Sequence, residues 1–227
     1  MNIPDGFIPL WQCVIYGFII LIAWIFTLKW VVEGLIKLGK EEPDSSKILL
    51  YILLFLFLIV FLFVIQAFNI PVPFGTSAGL VGAALIAIIL RSPWGAVLVM
   101  TPLILIQGLF FGYGGLTALG ANILNVGVIA GFTGFYIYKL AKPLGKTLRA
   151  VIGGFFAGLL SLVVTSAAVA VEMWLAGTFP LVEGLIFMTF YHAVVGVVEG
   201  IMTMVGCVLL TVLRSQRKSQ KNKDISL

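Results

Sequence analysis

Apolar residues in this chain come in long, nearly unbroken runs, and the polar residues fall in short clusters between them. A helix of roughly 20 apolar residues crosses about 30 Å of bilayer hydrocarbon, because it satisfies its own backbone hydrogen bonds there. Seven runs meet or approach that length, at about 8–28, 48–68, 77–90, 94–111, 119–138, 150–175 and 182–213. The third is short and opens on the Gly-rich sequence GTSAGLVGAAL. It is expected to complete its crossing with irregular backbone, which survives at membrane depth only where protein or a cavity covers it.

Composition agrees with this pattern. Of 227 residues, 61% are hydrophobic and 10% charged, against roughly 25% charged in a soluble domain. The expected fold is an all-α integral membrane protein of about seven transmembrane helices. Its 25 glycines suit helices whose backbones approach closely. Cys13 and Cys207 sit inside apolar runs, far apart, with neither metal-ligand nor disulfide spacing. They read as small hydrophobes.

Charge adds an orientation. The formal net charge of +5 would suggest nucleic acid if it lay in a soluble patch; here its distribution is topological. With the tail RSQRKSQKNKDISL in the cytoplasm, seven spans put the N-terminus outside. The inner connections then hold Lys29, Lys37, Lys40, Lys47, Arg91, Lys139, Lys142, Lys146 and Arg149, and the tail holds the remaining five of the fourteen basic residues. No Lys or Arg falls on the outer face. A single polytopic membrane domain is thus expected over 1–213, with a basic cytoplasmic tail over 214–227. The start, MNIPDG, has no positive charge and leads to no small-residue cleavage site, so a signal peptide is not expected.

Four uncharged or acidic segments share the outer face: MNIPDG, FNIPVPFGTSAG, FGYGGL and TFPLVEG. They are rich in Gly and Pro, residues that make stiff, tightly turning chain. Two readings stand: backbone packed into a binding site, or plain tight turns between helices.

Motifs exclude more than they assign. PLGKT echoes a phosphate loop, but Leu140 stands where its first Gly belongs and Pro143 interrupts the cradle. FGYGGLT has Thr117 where a dinucleotide loop needs its third Gly. There is no HExxH, no serine-nucleophile elbow and no paired intramembrane carboxylates, so the chain is not read as an enzyme. His192 and Glu199 lie seven residues apart on one face of the last run, about 10 Å along the axis. An ionisable pair inside a span suggests function by default, but one His and one distant Glu make no relay. A structural polar pair holding helices together is the expected role. Gly127 with Gly131, and Gly154 with Gly158, have the spacing of close helix crossings, within this chain or with a partner.

Four stretches resemble the CbiM/NikM family, the substrate-capture (S) components of energy-coupling factor importers for cobalt and nickel. They are NIPDGF (Asn2 to Phe7), FNIPVPFGTSAGLVGAAL (Phe68 to Leu85), LIQGLFFGYGGLTALGANILNVGV (Leu105 to Val128) and YHAVVGVVEGIMT (Tyr191 to Thr203). The resemblance implies a multi-pass protein of the cell membrane that holds a divalent ion at the outer face. Its implied partners are a transmembrane coupling (T) subunit, a cytoplasmic ATPase pair and a small accessory membrane subunit, with no nucleic acid. No intrinsic cofactor is implied; a divalent transition-metal ion is the substrate.

Members of that family typically begin Met-His and carry a second His in the segment that here reads GTSAGL. The amine of residue 1, the amide nitrogen and imidazole of residue 2, and the second imidazole form a square-planar nitrogen set suited to Ni(II). The resemblance therefore points to Met1, Asn2, Ser77, Gly79, Tyr113, Asn122 and His192 as candidate substrate-binding residues, with Met1 the one retained metal-ligand position. Both imidazole positions are changed, to Asn2 and Gly79. Tyr113 stands where relatives commonly have Asp, and Arg91-Ser92 replaces a Gly before Pro93. An Asn carboxamide is a weak ligand for Ni(II) and Co(II), so high-affinity square-planar binding of either is expected to be absent. Transition-metal uptake is the leading function. The alternatives are a chelated or non-metal substrate on the same scaffold, or a non-transporting structural or regulatory paralogue.

Overall fold

The computed structural model describes residues 1–40, 45–67, 69–73 and 76–225. Among the described residues, six helical segments are long and apolar enough to cross a membrane: Leu10–Lys37, Leu49–Gln66, Pro93–Phe111, Leu119–Leu140, Lys142–Leu175 and Leu181–Gln216. The first two lie in α1 (Leu10–Lys40) and α2 (Ser45–Gln66). These two helices leave Phe18, Leu21, Ile25, Leu53, Phe57 and Val60 exposed, an apolar surface that suits lipid. The helix α1 runs twelve residues beyond the apolar run that ends near 28. Its added turns carry Lys29, Glu33 and Lys37, charged residues that are good helix formers in water.

The third run departs from a simple span. Residues 77–79 belong to an antiparallel hairpin of β1 (Asn69–Val72) and β2 (Thr76–Gly79), paired Asn69 to Gly79 and Val72 to Thr76. The tip residues Phe74 and Gly75 of the FNIPVPFGTSAG segment lie outside the described residues. Three irregular residues follow, and then the seven-residue helix α3 (Ala83–Ile89), too short to cross alone. Gly82 starts it with φ 77°, a left-handed conformation. The helix is sheathed in protein, with Ala83, Ala84, Ile86 and Ala87 fully buried. At its far end Ile88 packs with Ala150, Ala157 and Cys207, beside Tyr138. The short third run is therefore a hairpin, a break and a seven-residue helix.

Glu199 holds that break together. Its carboxylate accepts the backbone N–H groups of Val81 at 3.0 Å and Gly82 at 2.7 Å. Buried backbone donors need partners, and these two have no strand or helix neighbour to supply one. Structure, not a relay, is what Glu199 contributes.

Arg91 (φ 56°) and Ser92 turn the chain into α4 (Pro93–Phe111), whose opening Pro93 is favourable at a helix start. The next crossing joins α5 (Leu119–Ile123), a π-helical stretch Leu124–Ile129 and α6 (Ala130–Leu140). A short 3₁₀ turn (Lys142–Leu144), α7 (Gly145–Leu148) and a second π stretch (Arg149–Gly153) lead into α8 (Gly154–Leu175). The last helix, α9 (Leu181–Ile225), continues past the apolar run, so residues 214–225 extend it rather than hang loose.

The small-residue pairs are used within the chain. Gly127 faces the Cα of Val97 on α4, where an added Cβ would come within 3.3 Å, and Gly131 faces Ala96. On α8, a Cβ at Gly158 would sit 2.6 Å from the Glu199 carbonyl oxygen, and one at Gly154 3.0 Å from the Met204 Cα. Glycine there sets the distance between α8 and α9.

Candidate functional site

The first residues fold back into the bundle as a plug. Met1 is 3% exposed and Ile3 not at all, while Asp5 and Gly6 reach the surface in a turn. Three neighbours hold the plug. Asn122, fully buried on α5, reads Ile3 at both ends: its Oδ1 accepts the Ile3 N–H at 2.6 Å and its Nδ2 donates to the Ile3 carbonyl at 3.1 Å. That carbonyl also accepts the N–H of Gly115 at 2.8 Å. Glycine is required at 115, since a Cβ there would lie 2.8 Å from the Pro4 carbonyl carbon.

Asp5 latches the same loop from outside. Its carboxylate accepts the Thr117 N–H (2.8 Å), the Thr117 hydroxyl (2.5 Å) and the Leu116 N–H (3.2 Å). Those donors, led by the Thr117 hydroxyl, hold its carboxyl below the usual carboxylate range. The plug is thus closed over by the FGYGGLT segment.

The amine of Met1 is carried inward and donates to the backbone carbonyl of Ser77 on β2. Burial disfavours its charged form and lowers its pKa from 8.0 to about 5. At neutral pH it is a free amine with an available lone pair, the state in which nitrogen binds metal.

Around this amine lies a small cleft of about 10 Å³, lined by Met1, Asn2, Gln66, Gly79, Leu80, Val81, Tyr113 and Val126. Four of the seven sequence-derived candidates, Met1, Asn2, Gly79 and Tyr113, meet here. Ser77 contributes its carbonyl as the anchor of the amine. Asn122 does not line the cleft; its side chain is spent on Ile3. Tyr113 follows the end of α4 at Gly112, and its hydroxyl donates to Oδ1 of Asn69 on β1. Burial raises its pKa above the usual phenol value. His192 is fully buried on α9 and within electrostatic reach of the Met1 amine. Its Nδ1 bonds the Met188 carbonyl at 2.7 Å, and Nε2 has no partner among the described residues.

Gln66 and Gln107 are additions from the structure. The Nε2 of Gln66 donates to the Val81 carbonyl at 2.8 Å, and its Oε1 accepts from Gln107 Nε2 at 3.0 Å. Together they fix the wall beside Val81. The available signal was a lone amide in each of two apolar runs, FVIQAF and LILIQGLF. A second network lies deeper: Asn125 donates to the Glu172 carboxylate at 2.7 Å, and Gln12 to the Glu172 carbonyl at 2.8 Å. Among the described residues, no three His, Cys, Asp or Glu side chains gather as a metal cluster.

The family model for the cobalt uptake substrate-specific transmembrane region (CbiM) matches residues 2–217. A Methanocaldococcus jannaschii protein named for metal transport is 35% identical over 156 residues, covering 68% of this chain and 64% of the relative. An Archaeoglobus fulgidus protein named for fused nickel transport (NikMN) is 31% identical over 203 residues, covering 89% and 63%. The cobalt transport protein CbiM of Acetoanaerobium sticklandii is 27% identical over 212 residues, covering 90% and 82%. The chain thus spans less than two thirds of the length of the first two relatives. Two crystal structures described as transition metal transporters, one of them truncated, superpose with TM-scores of 0.76 and 0.75 at 30% and 31% identity. They cover 96% and 95% of this chain, and the chain covers 94% and 99% of theirs. On the match over 2–217 and the spanning helices, the chain is a multi-pass membrane protein of the CbiM family of cobalt and nickel transport proteins.

Proposed function

We propose that this chain is the substrate-capture component of an energy-coupling factor importer and takes up a divalent transition-metal ion. The observation that carries the reading is the buried Met1 amine, held uncharged beside a cleft on the plug end of the bundle. The cleft encloses only about 10 Å³, room for about one water-sized group, and so favours an ion over a chelate or an organic substrate. The relatives' names, cobalt and fused nickel transport, support the ion class.

The orientation follows from the same reading. The plug end faces outward, and the hairpin, break and α3 form the seventh crossing, because this segment links the plug end to the Tyr138–Cys207 end where the basic residues lie. The plug guards the site from outside. Energy would come from a separate ATPase pair through a transmembrane coupling subunit, which fits a chain with no phosphate loop. The names of the fused nickel transport relatives support assembly within a transporter complex.

Substitution at both imidazole positions changes the grip. With Asn2 and Gly79, the four-nitrogen square-planar set is incomplete, and Ni(II) is expected to bind weakly and without its square-planar spectrum. Titration of the purified chain with Ni(II), Co(II), Zn(II) and Cu(II) tests this. Submicromolar Ni(II) binding with a square-planar spectrum overturns the prediction. The paired substitution Asn2→His with Gly79→His should tighten Ni(II) by roughly two orders of magnitude, about 3 kcal/mol. No gain would mean that the plug and β2 do not face each other as ligand positions.

A further inference from the structure

The end of the bundle opposite the plug gathers positive charge with no negative charge to meet it. Three segments join there in one small core, where Ile88 of α3 packs with Ala150 of the second π stretch and Cys207 of α9. Each segment carries an arginine close to that contact. Arg91 follows Ile88 by three residues and donates its backbone N–H to the Ile88 carbonyl at 3.3 Å. Arg149 immediately precedes Ala150. Arg214 follows Cys207 by seven residues, two turns and about 10 Å along the same face of α9. Arg214 lies within electrostatic reach of both Arg91 and Arg149, and all but Arg91 also act on the Tyr138 hydroxyl. Among the described residues, no carboxylate pairs with any of the three. Like charges held this way repel one another, and a bound anion would relieve them.

Two of the arginines are set in place for a ligand. The Nε of Arg149 donates to the Tyr138 carbonyl at 2.9 Å, and its guanidinium lies 4.2 Å over the Tyr138 ring. Both contacts fix the plane of the fork, and its two terminal nitrogens have no partner among the described residues. That edge is the one that receives two phosphate oxygens. Arg91 is held at φ 56°, the one non-glycine residue with positive φ among the described residues. Glycine would sit there without strain, so a guanidinium is kept at a cost to the backbone. The surroundings are apolar. Val151 and Ile152 beside Arg149, and Val212 and Leu213 beside Arg214, are exposed, and both arginines belong to spanning segments.

We infer that Arg91, Arg149 and Arg214 form a binding site for the headgroup of an anionic phospholipid from the leaflet at this end. The guanidinium forks receive its phosphate, and its acyl chains lie on the exposed apolar residues beside them. Free phosphate would meet the charge but leave the apolar flank uncovered. A zwitterionic lipid would bring a cation of its own toward three arginines, which disfavours it. The site is remote from the cleft at Met1 and does not depend on what that cleft holds.

The experiment uses the full chain, purified in a nonionic detergent and stripped of lipid. It is titrated with phosphatidylglycerol or phosphatidylcholine, with and without inorganic phosphate, and retained lipid is counted by native mass spectrometry. The expected result is one phosphatidylglycerol held at least about tenfold more tightly than phosphatidylcholine. Arg91→Gly and Arg149→Gln should each weaken it about fivefold. The exposed pair Lys142 and Lys146, at the same end, serves as the control: Lys142→Gln with Lys146→Gln should change it by less than about twofold. Equal retention of the two lipids, or an equal loss in the lysine variant, overturns the site. Displacement of the lipid by inorganic phosphate at equal concentration overturns the lipid as its occupant. Arg91→Gly removes the strained residue, so its thermal midpoint without lipid should not fall, and it decides the matter if Arg149→Gln does not fold.

Discussion

At the plug end of the bundle, polar groups are tied across long stretches of chain: Met1 to Ser77, Ile3 to Asn122 and Asp5 to Thr117. At the opposite end, Arg149 reaches only to Tyr138, donating to its carbonyl at 2.9 Å and lying 4.2 Å over its ring. Lys139 lies 5.6 Å over the ring of Tyr136, three positions away. One end is closed by distant partners and the other dressed by near ones. A capture site needs atoms held in fixed relation, and hydrogen bonds to remote elements supply that. Orienting a helix in a bilayer needs only the sign of the charge, which demands no fixed geometry.

The contrast predicts where damage will be large. Glu199→Leu would strand the Val81 and Gly82 amides, each costing about 1–3 kcal/mol, so a loss of about 4 kcal/mol is expected. Thermal unfolding in detergent measures it, and an unchanged midpoint would show that the break is held by something else. Acid should act on the plug. The docked amine has a pKa of about 5 and the free amine one of 8.0, so the undocked plug binds the extra proton between those values. Docking is fully favourable above pH 8, weakens as pH falls and levels off below about 5. Between pH 8 and 6 the loss is about 2 kcal/mol. Labelling of the Met1 amine by an acylating reagent, corrected for intrinsic amine reactivity, would reveal it as greater exposure at the lower pH. Asn122→Ala should cost about 2 kcal/mol by removing two buried bonds to Ile3, and should speed the same labelling. The smallest effect belongs to the basic end: Arg149→Ala should cost under about 1 kcal/mol and leave metal titrations unchanged. A larger effect there than at Asn122 would undo the comparison.

Much of this was legible beforehand. Six of the seven apolar runs became long spanning segments, since run length answers directly to bilayer thickness. The short third run was visible as an anomaly. Its solution was not, because strand pairing of Asn69 with Gly79 arises from tertiary context. Nor does a π stretch such as Leu124–Ile129 leave a mark in apolar periodicity, since one extra residue per turn changes little over six positions. Met1, Asn2, Gly79 and Tyr113, singled out through resemblance, line one cleft, while the bonds of Asn122 to Ile3 join positions too far apart in sequence to be read from it. Glu199 carried the least readable role. Its partners are backbone amides more than a hundred residues away, and amides look alike at every position.

That last bond also has a bearing on how the protein is made. The chain emerges N-terminus first, so Val81 and Gly82 are synthesised long before Glu199. Until the last helix is in place, the ribosome-bound intermediate has two amides and a half-length helix that cannot rest in lipid alone. The short helix α3 must therefore wait near the insertion machinery, or outside the membrane, until α9 has been made. Closure of the break beside the cleft is then a late event in biogenesis, coupled to the synthesis of α9.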